Sequence, residues 1–319
     1  MTLLGVVLST ATEASPKEFI ELGKLAEEKG FAALLVNEGR GDALACTEAI
    51  ALATSRIKVG TNIANIYFRH PFLAAMTAAT IDELSGGRLV LGFGISHRPL
   101  LESLGITMDQ PRQYLRSYVQ TVKNALSGKQ IGSLFRPRPA AHPVPVYVGA
   151  VTVESAEVGG EVADGIMPFL PARSYLTHLV HAAKEAAQRA GKDPSKVDCI
   201  VSIPTFISDD LEQARSAARY NLAFFAQLPF YRKQWRRCGF VDEVNALQEA
   251  WKKNDRRAAA ALVSDRMIDE VCVFGPPNLC REQLAAFHEA GAAMPVIAVS
   301  PVNEDRLTAT RKALSLLAP

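Results

Sequence analysis

Short runs of apolar residues alternate with amphipathic stretches along most of the chain. "LLGVVL" (3–8) is apolar throughout and reads as a buried strand. "SPKEFIELGKLAEEKG" follows with full helix punctuation. Ser15 is the cap, Pro16 takes the first helical position, Glu18 completes a capping box and Gly30 ends the helix. The alternation then repeats. "FAALLV" (31–36), "IKVGTNI" and "RLVLGF" are further strands, separated by the helices "ALACTEAIALATS" and "PFLAAMTAATIDEL". "PRQYLRSYVQTVKNALSG" is strongly amphipathic, with Leu115, Tyr118, Val119, Val122 and Leu126 on one face. "VPVYVGA", "DGIMPF", "KVDCIVSIPTF" and "MPVIAVS" complete a set of eight strands.

Strands that are apolar on both faces and separated by helices predict a parallel sheet covered on each side. Eight such strands predict a closed (β/α)8 TIM barrel, of class α/β, in preference to an open doubly wound sheet. The stretch between the seventh and eighth strands, about 208–267, is too long for one crossover. It reads as inserted helices, aromatic and basic at "FFAQLPFYRKQWRRCGF" and then helical and charged. No low-complexity linker interrupts the chain, so residues 1–319 read as one elaborated barrel domain.

Composition narrows the function classes. The net charge is +2, with acidic and basic residues scattered, which argues against a nucleic-acid partner or a membrane surface. Cys46, Cys199, Cys238, Cys272 and Cys280 show neither CxxC nor His-paired spacing and suit reduced thiols in a cytoplasmic enzyme. The start of the chain carries no signal-peptide pattern, and no segment reads as a transmembrane helix.

In a barrel of this kind the chemistry lies on the loops that follow the carboxyl ends of the strands. Those loops are "STATEAS", "NEGRGD", "NIANIYFRHP", "GISHRP", "GAVTVES", "PFLPARS", "TFISDD" and "SPVNED". "GFGISH" lacks the third glycine of a dinucleotide fingerprint, with His97 in its place. In "GAVTVES", Gly149 and Ala150 bring bare backbone to a helix start. That arrangement fits either a phosphate held by amide donors or simply a tight strand-to-helix turn. His97 stands three residues past Gly94, at a strand end, where it is either a proton donor or a loop histidine bonded to backbone. His70, before a proline at a helix start, reads as structural. No pair among His142, His178, His181 and His288 has zinc spacing, so no metal is expected.

"GTNIANIYFRHPFLAAMTAATIDELSGGRLVLGFGISHRPLLESLG" resembles the luciferase-like monooxygenase superfamily, and most of all its branch that uses the deazaflavin coenzyme F420, including methylenetetrahydromethanopterin reductase-like enzymes. "RHP" with "DELSGGR" carries the superfamily resemblance, and "GISHRP" points to the deazaflavin branch. "PRQYLRSYVQTVKNALSG", "PVPVYVGAVTVESAEVGGEVADGI" and "VFGPPNLCREQLAAFHEAGA" extend the resemblance over most of the chain, with residues about 205–268 the least informative.

The resemblance implies a (β/α)8 barrel and gives the turns roles. The segment matching "GTNI" (Thr61, Asn62, Ile63) implies a non-prolyl cis peptide at Asn62–Ile63, behind the cofactor ring. Asn37 and Glu38 fall where relatives place a charged pair near the reactive centre, often Asp-His or Glu-His. Gly94, Ile95, Ser96 and His97 match residues flanking the ring, and in some relatives a glutamate acts as acid where His97 falls. Gly149, Ala150 and Val151 match backbone donors to the cofactor's phosphate. The supporting lysine of relatives is absent from "PFLPARS", where Arg173 is the available cation. The implied activity is hydride transfer between reduced F420 and a small organic acceptor, with His97 as proton donor and Glu38 second. Two alternatives stand beside it: an FMN-dependent monooxygenase of the same superfamily, and a barrel that binds deazaflavin without turnover. The resemblance also implies a homodimer, with "ALACTEAIALATS" offering a face to bury between subunits. Tyr67, Phe68, Phe224, Phe225, Phe230, Tyr231 and Trp235 either wall a substrate cavity or pack as helix core.

Overall fold

Every apolar run read as a strand is one in the computed structural model, which describes residues 3–131, 135–253 and 255–319. Ten strands occur among the described residues. They are β1 (Gly5–Ser9), β2 (Ala33–Asn37), β3 (Lys58–Thr61), β4 (Ala64–Asn65), β5 (Leu89–Gly94), β6 (Val146–Gly149), β7 (Gly165–Met167), β8 (Asp198–Ile207), β9 (Val273–Gly275) and β10 (Met294–Val299). All strand pairings are parallel, in the order β10-β1-β2-β3-β5-β6-β7-β8. Pairing of β10 with β8 closes the sheet into an eight-stranded barrel. The two short additions, β4 beside β5 and β9 beside β8, lie off the ring's eight staves. Neither is predicted from the sequence, because two or three residues carry no periodicity.

Local chemistry sets the helix ends. Pro16–Glu28 has Ser15 as its N-cap, and Ser15 and Glu18 bond reciprocally as a complete capping box. His70 caps Pro71–Ser85 by accepting the Phe72 N–H on its ring, so the structural reading of that histidine holds. The same helix ends on Gly86 at φ +65°, a conformation glycine adopts without a Cβ penalty. Arg88, just beyond, donates to the carbonyls of Ser85, Ile57, Ala51 and Thr54. "SGGR" is therefore a fastener between neighbouring helices and strands.

Five helices fill the stretch between β8 and β9: Leu211–Phe225, Pro229–Arg237, Val241–Lys252, Arg256–Ala261 and Asp265–Val271. They bury a second apolar cluster, built around Trp235, Tyr231, Phe240 and Phe206, which is distinct from the main core between the barrel and its outer helices. The second cluster reaches the barrel mouth through Leu170 and Ala172, in the loop after β7. Trp235 Nε1 donates to the Leu170 carbonyl at 3.1 Å and Gln234 Nε2 to the Phe169 carbonyl at 3.4 Å. The inserted helices are thus tied to a carboxyl-end loop. No helix among the described residues is long and apolar enough to cross a membrane.

Candidate active site at the barrel mouth

The floor of the mouth is made by the turn between β3 and β4. The Asn62–Ile63 peptide is cis, as the resemblance implies. The Ile63 side chain lies over three glycines. A Cβ on Gly94 would meet it at 2.9 Å, one on Gly92 at 3.3 Å and one on Gly149 at 3.5 Å. Gly94 and Gly149 close strands β5 and β6, so only bare backbone there leaves room for an apolar platform. The Thr61 hydroxyl both donates to the Gly92 carbonyl (2.8 Å) and accepts its N–H (3.0 Å), and Asn62 Nδ2 donates to Ser202 Oγ across the barrel at 2.7 Å. Both side chains are buried and engaged, so what Thr61 and Asn62 present to the mouth is backbone and shape.

One wall of the mouth is ionic. Glu38, just past β2, donates its backbone N–H to the Ile63 carbonyl at 3.2 Å. Its carboxylate accepts the Asn65 N–H at 2.6 Å and the Ala43 N–H at 3.4 Å, and pairs with Arg69. The Glu38 and Arg69 side chains are only 3% and 9% exposed, and Arg69 also reaches Asp42 at 3.1 Å. Burial pushes the Glu38 carboxyl upward, against the opposing pull of the Asn65 N–H and Arg69. Next to it, Ser9 donates to the Asn37 side-chain oxygen at 3.3 Å, which ties β1 to β2.

A second wall, after β5, is aromatic. Gly94 leads into Ile95 and then Ser96 at φ +57°, and His97 precedes the short helix Arg98–Ser103 without capping it by a side-chain bond. The His97 ring stacks on Phe230 at 4.8 Å between centroids and meets Tyr231 edge-on at 6.3 Å. Its Nδ1 is buried with no partner among the described residues. Burial lowers the His97 pKa, which favours the neutral imidazole. Phe230 and Tyr231 come from the insertion and touch one another, and Tyr231 in turn meets Phe225 and Phe169 edge-on. The predicted aromatic set therefore divides: Tyr231 and Trp235 are buried core, Phe225 and Phe230 are half-buried, and Phe224 and Phe68 are exposed.

The third side is the turn after β6. Ala150 gives its N–H to the Met167 carbonyl at 3.2 Å, and Val151 and Thr152 lead into the helix Val153–Val162, capped by Thr152. Glu154, in that helix's first turn, is held by Arg237 of the insertion at 2.7 and 2.8 Å, which keeps its carboxyl far below the usual range. Arg173 lies elsewhere and faces Glu270 at 3.4 Å. The cation beside this turn is thus Arg237, which sequence reading missed because it lies 83 residues from Glu154. Arg69 was likewise seen only as part of a motif. Its signal was a charged residue inside an otherwise apolar and aromatic run.

Residues 2–294 match the family described as luciferase-like monooxygenase. The chain is 28% identical over 297 residues to the 5,10-methylenetetrahydromethanopterin reductase of Archaeoglobus fulgidus, covering 89% of each chain. Among solved structures it is similar to a coenzyme F420 dependent tetrahydromethanopterin reductase from Methanopyrus kandleri. That likeness has a TM-score of 0.81 at 23% identity, covering 99% of this chain and 98% of the other. An F420-dependent secondary alcohol dehydrogenase in complex with an F420-acetone adduct superposes with a TM-score of 0.74 at 20% identity, covering 100% and 99%. With the family match running through all but the last strand, helix and tail of a closed parallel barrel, the chain belongs to the luciferase-like monooxygenase family.

Proposed function

We propose that the chain is a coenzyme F420-dependent oxidoreductase that passes hydride between reduced deazaflavin and a small organic acceptor. The observation that carries this reading is an apolar platform, Ile63 over Gly92, Gly94 and Gly149, at the same barrel mouth as the half-buried His97 imidazole, whose buried Nδ1 has no partner among the described residues. A platform of that shape fits a planar ring, and an unpaired buried polar atom fits a reacting group that finds its partner only in the complex. The relatives that are F420-dependent reductases and dehydrogenases support the same reading.

When bound, F420 supplies the hydride. Thr61, Asn62 and Ile63 would hold its ring, flanked by Asn37, Glu38, Gly94, Ile95 and Ser96. Gly149, Ala150 and Val151 would hold its phosphate arm at the start of the helix Val153–Val162, where a helix N-terminus favours an anion. His97 holds or moves the proton that accompanies hydride transfer, and the Phe230 and Tyr231 rings keep water from it. Glu38 has its oxygens engaged by Arg69, Asn65 and Ala43, so it is the weaker candidate to carry that proton.

The insertion roofs the mouth and the chain works as one unit, with the acceptor pocket between Phe230 and the ring. The outer face of Pro71–Ser85 exposes Leu73, Met76 and Leu84, and the neighbouring Ala43–Ala53 exposes Leu52. Two adjacent helices with apolar outer faces suit a homodimer. All five cysteines are free, which suits the cytoplasm.

Titrating purified protein with F420 and with FMN tests the cofactor. Saturable quenching of F420 fluorescence with weak or no FMN binding is expected, and preferential FMN binding overturns the reading. Tight F420 binding with no oxidation of the reduced form across an acceptor panel favours a carrier instead.

A further inference from the structure

Resting on the F420 reading above, we propose that Glu38 is a positioning residue rather than a proton carrier, and that Arg69 is its obligatory partner. Glu38 grips the platform turn at both ends. Its backbone N–H donates to the Ile63 carbonyl at 3.2 Å, while its carboxylate accepts the Asn65 N–H at 2.6 Å. Two further bonds frame the same turn, Asn62 N–H to the Val36 carbonyl at 2.8 Å and Ile66 N–H to the Gly94 carbonyl at 3.1 Å. Neither of these involves a side chain. Among the described residues, the only side-chain charge aimed at the turn's backbone is therefore that of residue 38.

A buried carboxylate keeps that role only while a cation compensates it. Arg69 does so from within the turn's own continuation, and its carbonyl accepts the Tyr118 hydroxyl at 3.3 Å, which fixes the chain where the guanidinium departs. Asp42 shares the guanidinium and caps the helix that follows Glu38 through the Leu44 and Ala45 N–H groups. The carboxylate, the guanidinium and the platform turn therefore move together. Removing either charge frees the Asn65 end of the turn and lets the Ile63 platform shift beneath the cofactor ring, without touching the group that moves the proton.

The test uses oxidised F420 and the full-length protein carrying E38Q, R69M, R69K or both E38Q and R69M. Dissociation constants come from fluorescence quenching, and the asymmetry of the bound ring from visible circular dichroism. E38Q and R69M should each weaken binding on the order of tenfold and alter the dichroism. The double variant should lose little more than either single one, because both act through one network. R69K, which keeps the charge and the fold, should lie between wild type and R69M. Thermal melts that fall in E38Q and R69K while affinity and dichroism stay at wild-type values would reduce the pair to a purely structural role and overturn the inference. Unchanged affinity and dichroism in E38Q would do the same and return Glu38 to proton transfer. Failure of the wild type to bind F420 sinks the cofactor reading itself, whereas normal wild-type binding with indifferent variants sinks only the positioning role.

Discussion

The two walls of the barrel mouth solve opposite problems. On the Glu38 side, carboxylate, guanidinium and backbone donors meet one another, and the turn they enclose is held from several directions. On the His97 side, an imidazole is packed between aromatic rings with a nitrogen that meets nothing. Glu38 has both carboxylate oxygens engaged within the protein and so specifies a position, whereas the buried His97 Nδ1 has bonding capacity left for a ligand, as do Arg69 Nη1 and Asn65 Nδ2 at the edge of the ionic wall. Residue type alone would rank Glu38 and His97 together as titratable groups at strand ends. Their partners separate them.

The largest expected effect breaks the ionic wall. Arg69→Met leaves the Glu38 carboxylate buried without its counter-charge and should destabilise the protein by about 3–5 kcal/mol, read from urea unfolding. A loss under about 1 kcal/mol would mean that water or relaxation compensates the carboxylate, as at an exposed pair. His97→Ala should cost far less, about 0.5–1.5 kcal/mol for the lost stacking on Phe230, since that ring leaves no buried charge unpaired.

The second prediction reverses the contrast in activity. His97→Ala should lower turnover with a surrogate acceptor by roughly a hundredfold or more, the usual scale for general acid–base catalysis. F420 affinity should change far less, because the platform and the β6 turn are untouched. Equal turnover in variant and wild type would assign the imidazole to packing.

The pH dependence sharpens the same point. Burial lowers the His97 pKa below its ordinary value, so the protonated donor is scarce at neutral pH. In the reductive direction turnover should therefore be highest at acidic pH and fall about tenfold per pH unit above that lowered pKa. In the oxidative direction the neutral imidazole is the acceptor, so activity should hold across neutral pH and drop only as pH falls through it. Phe230→Ala, the mildest change, admits water to the ring. It should raise the His97 pKa toward the ordinary value and shift the break to higher pH. The lost stacking should cost about 0.5–1.5 kcal/mol. An unmoved break would detach the titration from His97.

Much of this was legible along the chain because the signals are local. The Ser15–Glu18 capping box, the His70 cap and the Gly86 terminus each act within a few residues, and each is present in the fold. The eight strands were legible because strands covered on both faces must be apolar throughout. The short strands Ala64–Asn65 and Val273–Gly275 were not, having too few residues to show a pattern. Of the site, the Gly94–His97 turn and the Gly149–Val151 turn could be located from the strand-end rule, and the cis bond at Asn62–Ile63 from the resemblance. Arg69 and Phe230 could not be given partners.

The sequence by itself determined the barrel, its closing strand count, the helix ends and which loops share the mouth, since apolar periodicity and caps are written in neighbouring residues. Only the tertiary structure decided that Glu38 is held by Arg69 while His97 is left with an open nitrogen against Phe230. Those outcomes depend on approaches between residues 31 apart in one case and more than a hundred in the other. At such separations the burial of a charge, and the presence or absence of a partner for it, is set by how strands and inserted helices pack, and no local pattern encodes that.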